Sequence, residues 1–249
     1  SLVRAADTGL EMDSGLWNSL AVADFDLDGD LDLMAGNWGI NSRWTADQNT
    51  PLRLYKYDFD QNKTEETLVT YVYQGKETPM ASKEELAKQM PKINKQFLSF
   101  KDFANATVDV IFGAKNLEKG LVKEVTELRS CYFENTGGLV YKKQILPQEM
   151  QYSSINDLFV TDLNGDGLLD VLPSGNTYEI STQLGRLDAF KGGVLLNKGG
   201  QFIFDYALDQ PLLGAGRKIA VMPQPQDSTW IMTRNNNTPI YLKKLIPQP

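Results

Sequence analysis

Two short segments carry acidic side chains at alternate positions, a spacing that suits the binding of a hard cation. Both follow the pattern D-x-[DN]-x-D-G-x-x-D, in residues 24–32 and again in residues 162–170. Oxygen ligands at positions 1, 3 and 5 can converge on one ion, and the glycine at position 6 permits the sharp turn. We expect position 7 to add its backbone carbonyl and position 9 to close the coordination shell. The predicted ligands are Asp24, Asp26, Asp28, Asp30 and Asp32 in the first segment, and Asp162, Asn164, Asp166, Leu168 and Asp170 in the second.

A third segment, residues 58–66, follows the same pattern less closely. It keeps oxygen-bearing side chains at the ligand positions, but Lys63 stands where the other segments have glycine. The candidate ligands are Asp58, Asp60, Asn62, Thr64 and Glu66. The lysine adds a positive charge and a Cβ atom to the turn, so the sequence leaves metal binding here open. For all three segments the alternative is a plain polar turn.

The all-oxygen ligand set favours Ca²⁺, because Mg²⁺ requires a stricter octahedron and retains more water. A helix-flanked EF-hand needs a glutamate at position 12, where these segments carry Ala35 and Pro173. The residues that leave both segments also have a strand-like pattern. We therefore predict two calcium sites on β-hairpins, and a third if the Lys63 loop binds.

Composition excludes several classes of function. The chain has no histidine, which removes Ser-His-Asp and Cys-His catalysis, and its single Cys131 excludes an internal disulfide. The net charge of −7 argues against nucleic acid and anionic membrane surfaces as partners. No apolar run approaches the ~20 residues that span a bilayer.

Short strand-like runs between glycine, asparagine and aspartate predict an all-β fold. Two hairpins repeat, at residues 131–141 and 194–204, each with an Asn-x-Gly-Gly turn. Four strands in about 60 residues correspond to one propeller blade. We therefore expect one domain over residues 1–249, a β-propeller-like array of about four four-stranded blades that form a partial propeller.

A segment near residues 82–121 breaks this pattern with helical signals. Ser82 and Glu85 form a capping box, Pro91 should separate two helices, and Ser99 could cap the second, which should end near Gly113. We interpret the segment as a helical insertion packed on the sheets. The alternative is a surface that docks a partner.

The chain resembles the FG-GAP/VCBS repeat proteins, relatives of the integrin α-subunit propeller. The resemblance is carried by residues 21–36 and 159–175, in which apolar strands flank the acidic pattern, and by the two Asn-x-Gly-Gly turns. Residues 15–41 and the helical insertion resemble VCBS-repeat proteins of Bacteroidota surface or periplasmic systems. Two features depart from the family: residues 223–227 replace an acidic loop with a Pro/Gln loop that should not bind calcium, and about four blades are fewer than the seven expected.

The resemblance implies calcium-braced blades, export to the cell surface or periplasm, and adhesion to a protein or glycan partner. The chain starts within a blade-like segment, so we expect it to be part of a longer protein. We predict a non-catalytic binding or scaffold module. One alternative is a carbohydrate-active enzyme, a glycosidase or polysaccharide lyase using a carboxylate pair, for which Glu179 and Asp188 are spare acids. Another is a glycan-binding module with a rim formed by Trp38, Trp44, Tyr178 and Phe190.

Overall fold

A computed structural model describes residues 5–181, 183–206, 211–222 and 229–243. The chain divides into two compact units, one formed by residues 1–43 and 128–249 and the other by residues 44–127. Within the described ranges both units are built on antiparallel sheets, so the mostly-β prediction is confirmed. No helix in those ranges is long and apolar enough to cross a membrane.

The described residues include fifteen short strands joined by loops and helices. They are β1 Ser19–Ala23, β2 Asp32–Gly36, β3 Leu52–Tyr57, β4 Glu66–Tyr73, β5 Lys76–Pro79, β6 Leu121–Val125, β7 Cys131–Asn135, β8 Tyr141–Ile145, β9 Ile155–Thr161, β10 Asp170–Gly175, β11 Val194–Asn197, β12 Phe202–Asp205, β13 Ala215–Met222, β14 Thr229–Asn235 and β15 Ile240–Lys243. The helices are α1 Lys83–Gln89, α2 Lys92–Gln96, α3 Phe100–Asn105, α4 Val108–Phe112 and α5 Ala114–Lys119, with a 3₁₀ helix at Gln148–Gln151.

Three sheets make up the first unit, and each is a meander of neighbouring strands. The first sheet has the order β1-β2-β7-β8, the second β9-β10-β11-β12 and the third β13-β14-β15. In the first two sheets an acidic loop joins the first two strands, and an Asn-x-Gly-Gly turn joins the last two. These two sheets have the four strands that we expected in one blade. The loop at residues 223–227, for which we predicted no calcium, lies outside the described residues.

The expectation of about four four-stranded blades in a partial propeller is met only in part: the described residues form four antiparallel sheets of three or four strands and no closed propeller. The fourth sheet belongs to the second unit and has the order β5-β4-β3-β6. Here β4 turns directly into β5, and β6 returns from the helices to pair with the free edge of β3. This order differs from the meander of a blade. The acidic loop between β3 and β4 suggested a blade because it carries the same local pattern.

The helical segment is present but is more divided than predicted. Ser82 and Glu85 form the expected capping box, and α1 and α2 are separated at Pro91. The second predicted helix is split, because Ala106 and Thr107 adopt extended backbone angles between α3 and α4. Thr107 is β-branched, which weakens its helix preference.

Apolar side chains fill the space between successive sheets of the first unit. One cluster includes Phe25, Met34 and Tyr132 of the first sheet region, together with Val171 and Leu195 of the second. Another joins the opposite face of the second sheet to the third sheet. The second sheet is therefore covered on both faces. In the second unit, a separate cluster packs the fourth sheet against the helices.

A buried carboxylate also ties the second sheet to the third. Asp157 on β9 is 5% exposed, and its Oδ2 accepts a hydrogen bond from the Ile219 amide of β13 at 2.7 Å. Its Oδ1 accepts from Lys218 Nζ at 2.6 Å. Ile219 resumes the β13–β14 ladder after a register shift, and the Asp157 side chain supplies the acceptor for its amide.

Replacing Asp157 tests this tie. Asp157→Ala leaves the buried Ile219 amide without its acceptor, and we expect a loss of about 1–3 kcal/mol in unfolding free energy. Asp157→Asn keeps an acceptor of the same size and should lose less. Urea denaturation of the two variants measures the difference, and equal losses would show that the acceptor is unimportant.

Candidate metal centre

The three acidic segments lie at the turns of three β-hairpins. The first loop (residues 24–32) joins β1 to β2, the middle loop (58–66) joins β3 to β4, and the last loop (162–170) joins β9 to β10. In each case position 9 is the first residue of the outgoing strand. The strands therefore fix both ends of every loop, and the nine positions can be compared directly.

All three loops share one set of backbone-to-carboxylate hydrogen bonds. The amide of position 6 donates to the carboxylate of position 1, and the amide of position 7 donates to the side-chain oxygen of position 5. The first contact is Gly29 to Asp24 at 3.1 Å, Lys63 to Asp58 at 2.8 Å and Gly167 to Asp162 at 3.0 Å. The second is Asp30 to Asp28 at 2.9 Å, Thr64 to Asn62 at 2.7 Å and Leu168 to Asp166 at 3.0 Å. The loops thus have a common conformation.

The backbone angles agree with this conclusion. Positions 4 and 6 have positive φ in every loop, although only three of these six residues are glycine. The values are 62° at Leu27, 95° at Gly29, 61° at Gln61, 74° at Lys63, 82° at Gly165 and 88° at Gly167. Lys63 therefore adopts the glycine-like turn despite its Cβ atom.

The position 9 carboxylate closes each loop on itself by accepting the amide of position 2. The pairs are Phe25 to Asp32 at 3.1 Å, Phe59 to Glu66 at 2.8 Å and Leu163 to Asp170 at 3.0 Å. These three carboxylates are buried, at 6% exposure or less. Position 9 was predicted as a metal ligand, and the structure adds a structural role that the motif does not reveal.

In the first and last loops, position 9 also holds the neighbouring strand. Asp32 Oδ1 accepts from the Asn135 amide at 2.8 Å, and its Oδ2 accepts from the Tyr132 hydroxyl at 2.7 Å. Asp170 Oδ1 accepts from the Asn197 amide at 2.9 Å. Both asparagines open the repeated Asn-x-Gly-Gly turns. Sequence reasoning identified those turns as hairpins and missed their contacts with the acidic loops.

Carboxylate oxygens converge in two of the three loops. Ligand atoms of Asp24, Asp26 and Asp28 lie within 4.8 Å of one another, and the same holds for Asp58, Asp60 and Glu66. Both acidic triads could therefore bind a metal ion. The middle loop, which the motif left open, uses its position 9 glutamate to complete its triad.

The last loop is built differently. Its position 3 is Asn164, whose amide donates to Asp166 Oδ2 at 3.0 Å, and Lys198 Nζ lies 3.4 Å from the same oxygen. The pKa of Asp166 is lowered, chiefly by the Leu168 amide and further by Asn164 and Lys198. Hydrogen bonds and a lysine thus offset part of the negative charge in this loop.

The first and middle loops concentrate negative charge instead. Burial raises the pKa of Asp26, with further contributions from the carboxylates of Asp32, Asp28 and Asp24. Burial likewise raises the pKa of Glu66, beside Asp60 and Asp58. A raised carboxyl pKa means that the ionised form is disfavoured by its surroundings. A divalent cation would relieve this repulsion.

One carboxylate oxygen of the first loop also lacks a hydrogen-bond donor among the described residues. Asp24 Oδ1 is buried and has no hydrogen-bond partner in the described part of the chain. A buried carboxylate oxygen without a donor is costly, and a bound cation supplies the missing partner. The donor set consists of hard oxygens, so the first loop fits calcium on this observation as well as on its motif.

The aromatic rim, which was the alternative for glycan binding, loses two of its four rings to the interior. Trp44 and Phe190 are buried, at 8% and 3% exposure, and Phe190 belongs to the core between the first two sheets. The Arg186 guanidinium covers the Tyr178 ring at 3.8 Å from its centroid. Rings that follow acidic loops were candidates for surface positions, but apolar packing takes two of them inside.

No protein-family model matches the chain, and no solved structure matches it.

The positive φ at position 6 predicts opposite changes in unfolding free energy for substitutions in the middle and last loops. Lys63→Gly removes a left-handed strain of about 1–2 kcal/mol and costs about 0.4–1 kcal/mol through the unfolded chain, so we expect a net gain of about 0.5–1 kcal/mol. Gly167→Ala introduces the strain, in open space, and should lose a similar amount. Denaturant unfolding in a metal chelator measures both. Stabilisation by Gly167→Ala would contradict the shared conformation.

Proposed function

We propose that this protein is a calcium-binding, non-catalytic module of the FG-GAP/VCBS type, in which calcium braces the hairpin loops of an exported binding or scaffold domain. The observation that carries the proposal is the shared conformation of the three loops together with their charge. Two loops gather three carboxylates each within 4.8 Å, and one buried oxygen lacks a donor. These features suit an ion more than a plain polar turn.

Calcium is favoured over other metals by the chemistry of the donors. The described clusters offer carboxylate and amide oxygens, without nitrogen or sulfur ligands, which suits hard cations. Calcium accepts irregular sets of oxygen ligands, whereas magnesium needs a near-ideal octahedron. When bound, calcium would supply positive charge to the triads. Asp24, Asp26 and Asp28 would hold it in the first loop, and Asp58, Asp60 and Glu66 in the middle loop.

For the last loop we propose calcium on weaker geometric grounds. Asp162, Asn164 and Asp166 have the same backbone contacts as their counterparts, but Lys198 competes for Asp166. An ion in this loop would have to displace the lysine. We therefore propose that the last loop binds more weakly than the first.

A binding role is supported over carbohydrate catalysis by the lowered pKa of Glu179, one of the two spare acids. A general acid needs a raised pKa, because it must carry a proton at working pH. Glu179 has a lowered pKa, from backbone and Asn235 hydrogen bonds and from Arg217, whose Nη2 lies 3.0 Å away. The acids of the loops are held by loop amides. This arrangement favours metal binding by the loops.

The topology of the second sheet suggests where a protein or glycan partner would bind. Thr161 pairs with Asp170 at the loop end of the β9–β10 hairpin, and Ile155 pairs with Gly175 at the other end. The long connection over residues 176–193 leaves from that second end. We propose that calcium braces one end while partner contacts form at the other, and that the domain acts at the cell surface or in the periplasm.

A thermal melt of the purified chain tests the calcium proposal. The protein would be stripped with EDTA and melted alone, with calcium, and with magnesium. At a hundred times its dissociation constant, one site adds about 2.7 kcal/mol, which corresponds to a rise of about 5–10 °C in melting temperature. Magnesium should give a smaller rise.

Single-site variants identify which loops respond. Asp28→Ala, Asp60→Ala and Asp166→Ala should each reduce the calcium-dependent rise, and Asp28→Ala should reduce it more than Asp166→Ala. Asp205→Ala, an exposed aspartate outside the loops, should leave it unchanged. The absence of any calcium response, or an equal response in all variants, would contradict the proposal.

A further inference from the structure

One turn of the second sheet contacts both the first and the last acidic loops. Asn197, at the end of β11, is fully buried, and its side-chain nitrogen donates two hydrogen bonds. It donates to the Phe25 carbonyl of the first loop at 2.6 Å and to the Leu169 carbonyl of the last loop at 3.1 Å. One amide group therefore links two loops that belong to different sheets.

Gly200 of the same turn also packs against the first loop, where a Cβ atom placed on it would be 3.3 Å from Asp26 Cβ. On the other side, Lys198 Nζ lies 3.4 Å from Asp166 Oδ2 in the last loop, a contact that a bound ion would displace. The contacts of Asn197 and Gly200 are those that a bound ion can leave in place.

Aromatic packing holds the turn against the first loop. The Phe202 ring, which follows the turn, lies 5.4 Å from Phe25 and 5.1 Å from Tyr132 in edge-to-face contacts. The Phe25 amide in turn donates to Asp32, and the Tyr132 hydroxyl donates to the same carboxylate. A shift of the first loop would disturb these contacts and move the turn.

We infer that Asn197 couples calcium binding in the first loop to calcium binding in the last, so that an ion in either loop raises the affinity of the other. This inference rests on the proposed function. An ion that orders one loop also fixes Asn197 and its turn, which lowers the ordering cost of the other loop. Because coupling of this kind is reciprocal, each ion must favour the other equally.

Asn135 provides a matched control within the same chain. It occupies the corresponding place in the first sheet, where its side-chain amide donates to the Leu31 carbonyl at 3.2 Å and its backbone amide to Asp32 at 2.8 Å. In the described ranges its hydrogen bonds stay within its own sheet, loop and turn. Asn135 should therefore stabilise the first loop without coupling it to the last.

The test follows each loop separately by amide NMR. The position 6 glycines, Gly29 and Gly167, each donate to the position 1 carboxylate, so their signals should move when calcium binds in their own loop. Calcium is titrated into isotope-labelled, metal-free protein. In the native sequence we expect Asp28→Ala to raise the half-saturation concentration at Gly167 by about fivefold or more, because the tighter first loop is already filled when the last loop titrates.

The variants then assign the coupling. On an Asn197→Ala background, adding Asp28→Ala should change the Gly167 half-saturation by less than about twofold, whereas on an Asn135→Ala background the shift of about fivefold should remain. Each comparison is a ratio within one background, so a direct weakening of the last loop cancels. The reciprocal comparison, Asp166→Ala read at Gly29, should give a smaller shift in the same direction, because the weaker last loop is mostly empty while the first loop fills.

Three results would overturn the inference. The first is a Gly167 half-saturation that does not respond to Asp28→Ala, and the second is a response that persists in Asn197→Ala. The third is a Gly29 half-saturation that falls, instead of rising, after Asp166→Ala. If calcium moves neither glycine signal, the proposed calcium function fails, and the inference fails with it. If calcium moves both signals but one of the three results above is found, only the inference fails.

Discussion

A buried carboxylate at position 9 that accepts the amide of position 2 is the contact on which each acidic loop depends. It recurs at Asp32, Glu66 and Asp170, and it closes a turn whose backbone must adopt positive φ at two further positions. Without that closure, the carboxylates of positions 1 to 5 would have no reason to converge. In the first and last loops the same group also holds the next strand, so loop closure and sheet formation share one side chain.

Closure of the loop creates an electrostatic cost that the protein meets in two ways. In the last loop, an asparagine and Lys198 offset the charge from within the chain. In the first and middle loops the acids remain close together. The raised pKa values of Asp26 and Glu66 reflect their burial and the repulsion from the other carboxylates of their own loops. A cation bound there would add stability that is a large share of the roughly 5–15 kcal/mol typical of folded domains. A structural role for the metal is therefore sufficient to account for the motifs.

Much of the local structure could be predicted from the sequence, because it follows from short-range chemistry. The acidic loops, the strands around them, the Asn-x-Gly-Gly turns and the capping box at Ser82 all depend on residues within a few positions of one another. Sheet order could not be predicted in the same way. Residues 52–73 carry a blade-like pattern, but β6 pairs with β3 only because the chain returns from the helices to that edge.

The same limit applies to the candidate site. The motif predicted the ligand positions, but it could not show that Asn197 would contact Phe25, which is distant in sequence, or that Lys198 would approach Asp166. It also favoured the last loop over the middle one, because Lys63 replaces the glycine of position 6. Lys63 adopts the same backbone angles, and Glu66 completes a triad that a pattern of spacing alone had left open.

Direct counting of bound calcium tests the central claim. The purified chain, stripped of metal and dialysed against calcium, would be weighed by native mass spectrometry to count the ions that each molecule retains. The structure predicts at least two ions per chain, with one fewer after Asp28→Ala and one fewer after Asp60→Ala. A chain that retains no calcium, or one that retains the same number after both substitutions, would contradict the account.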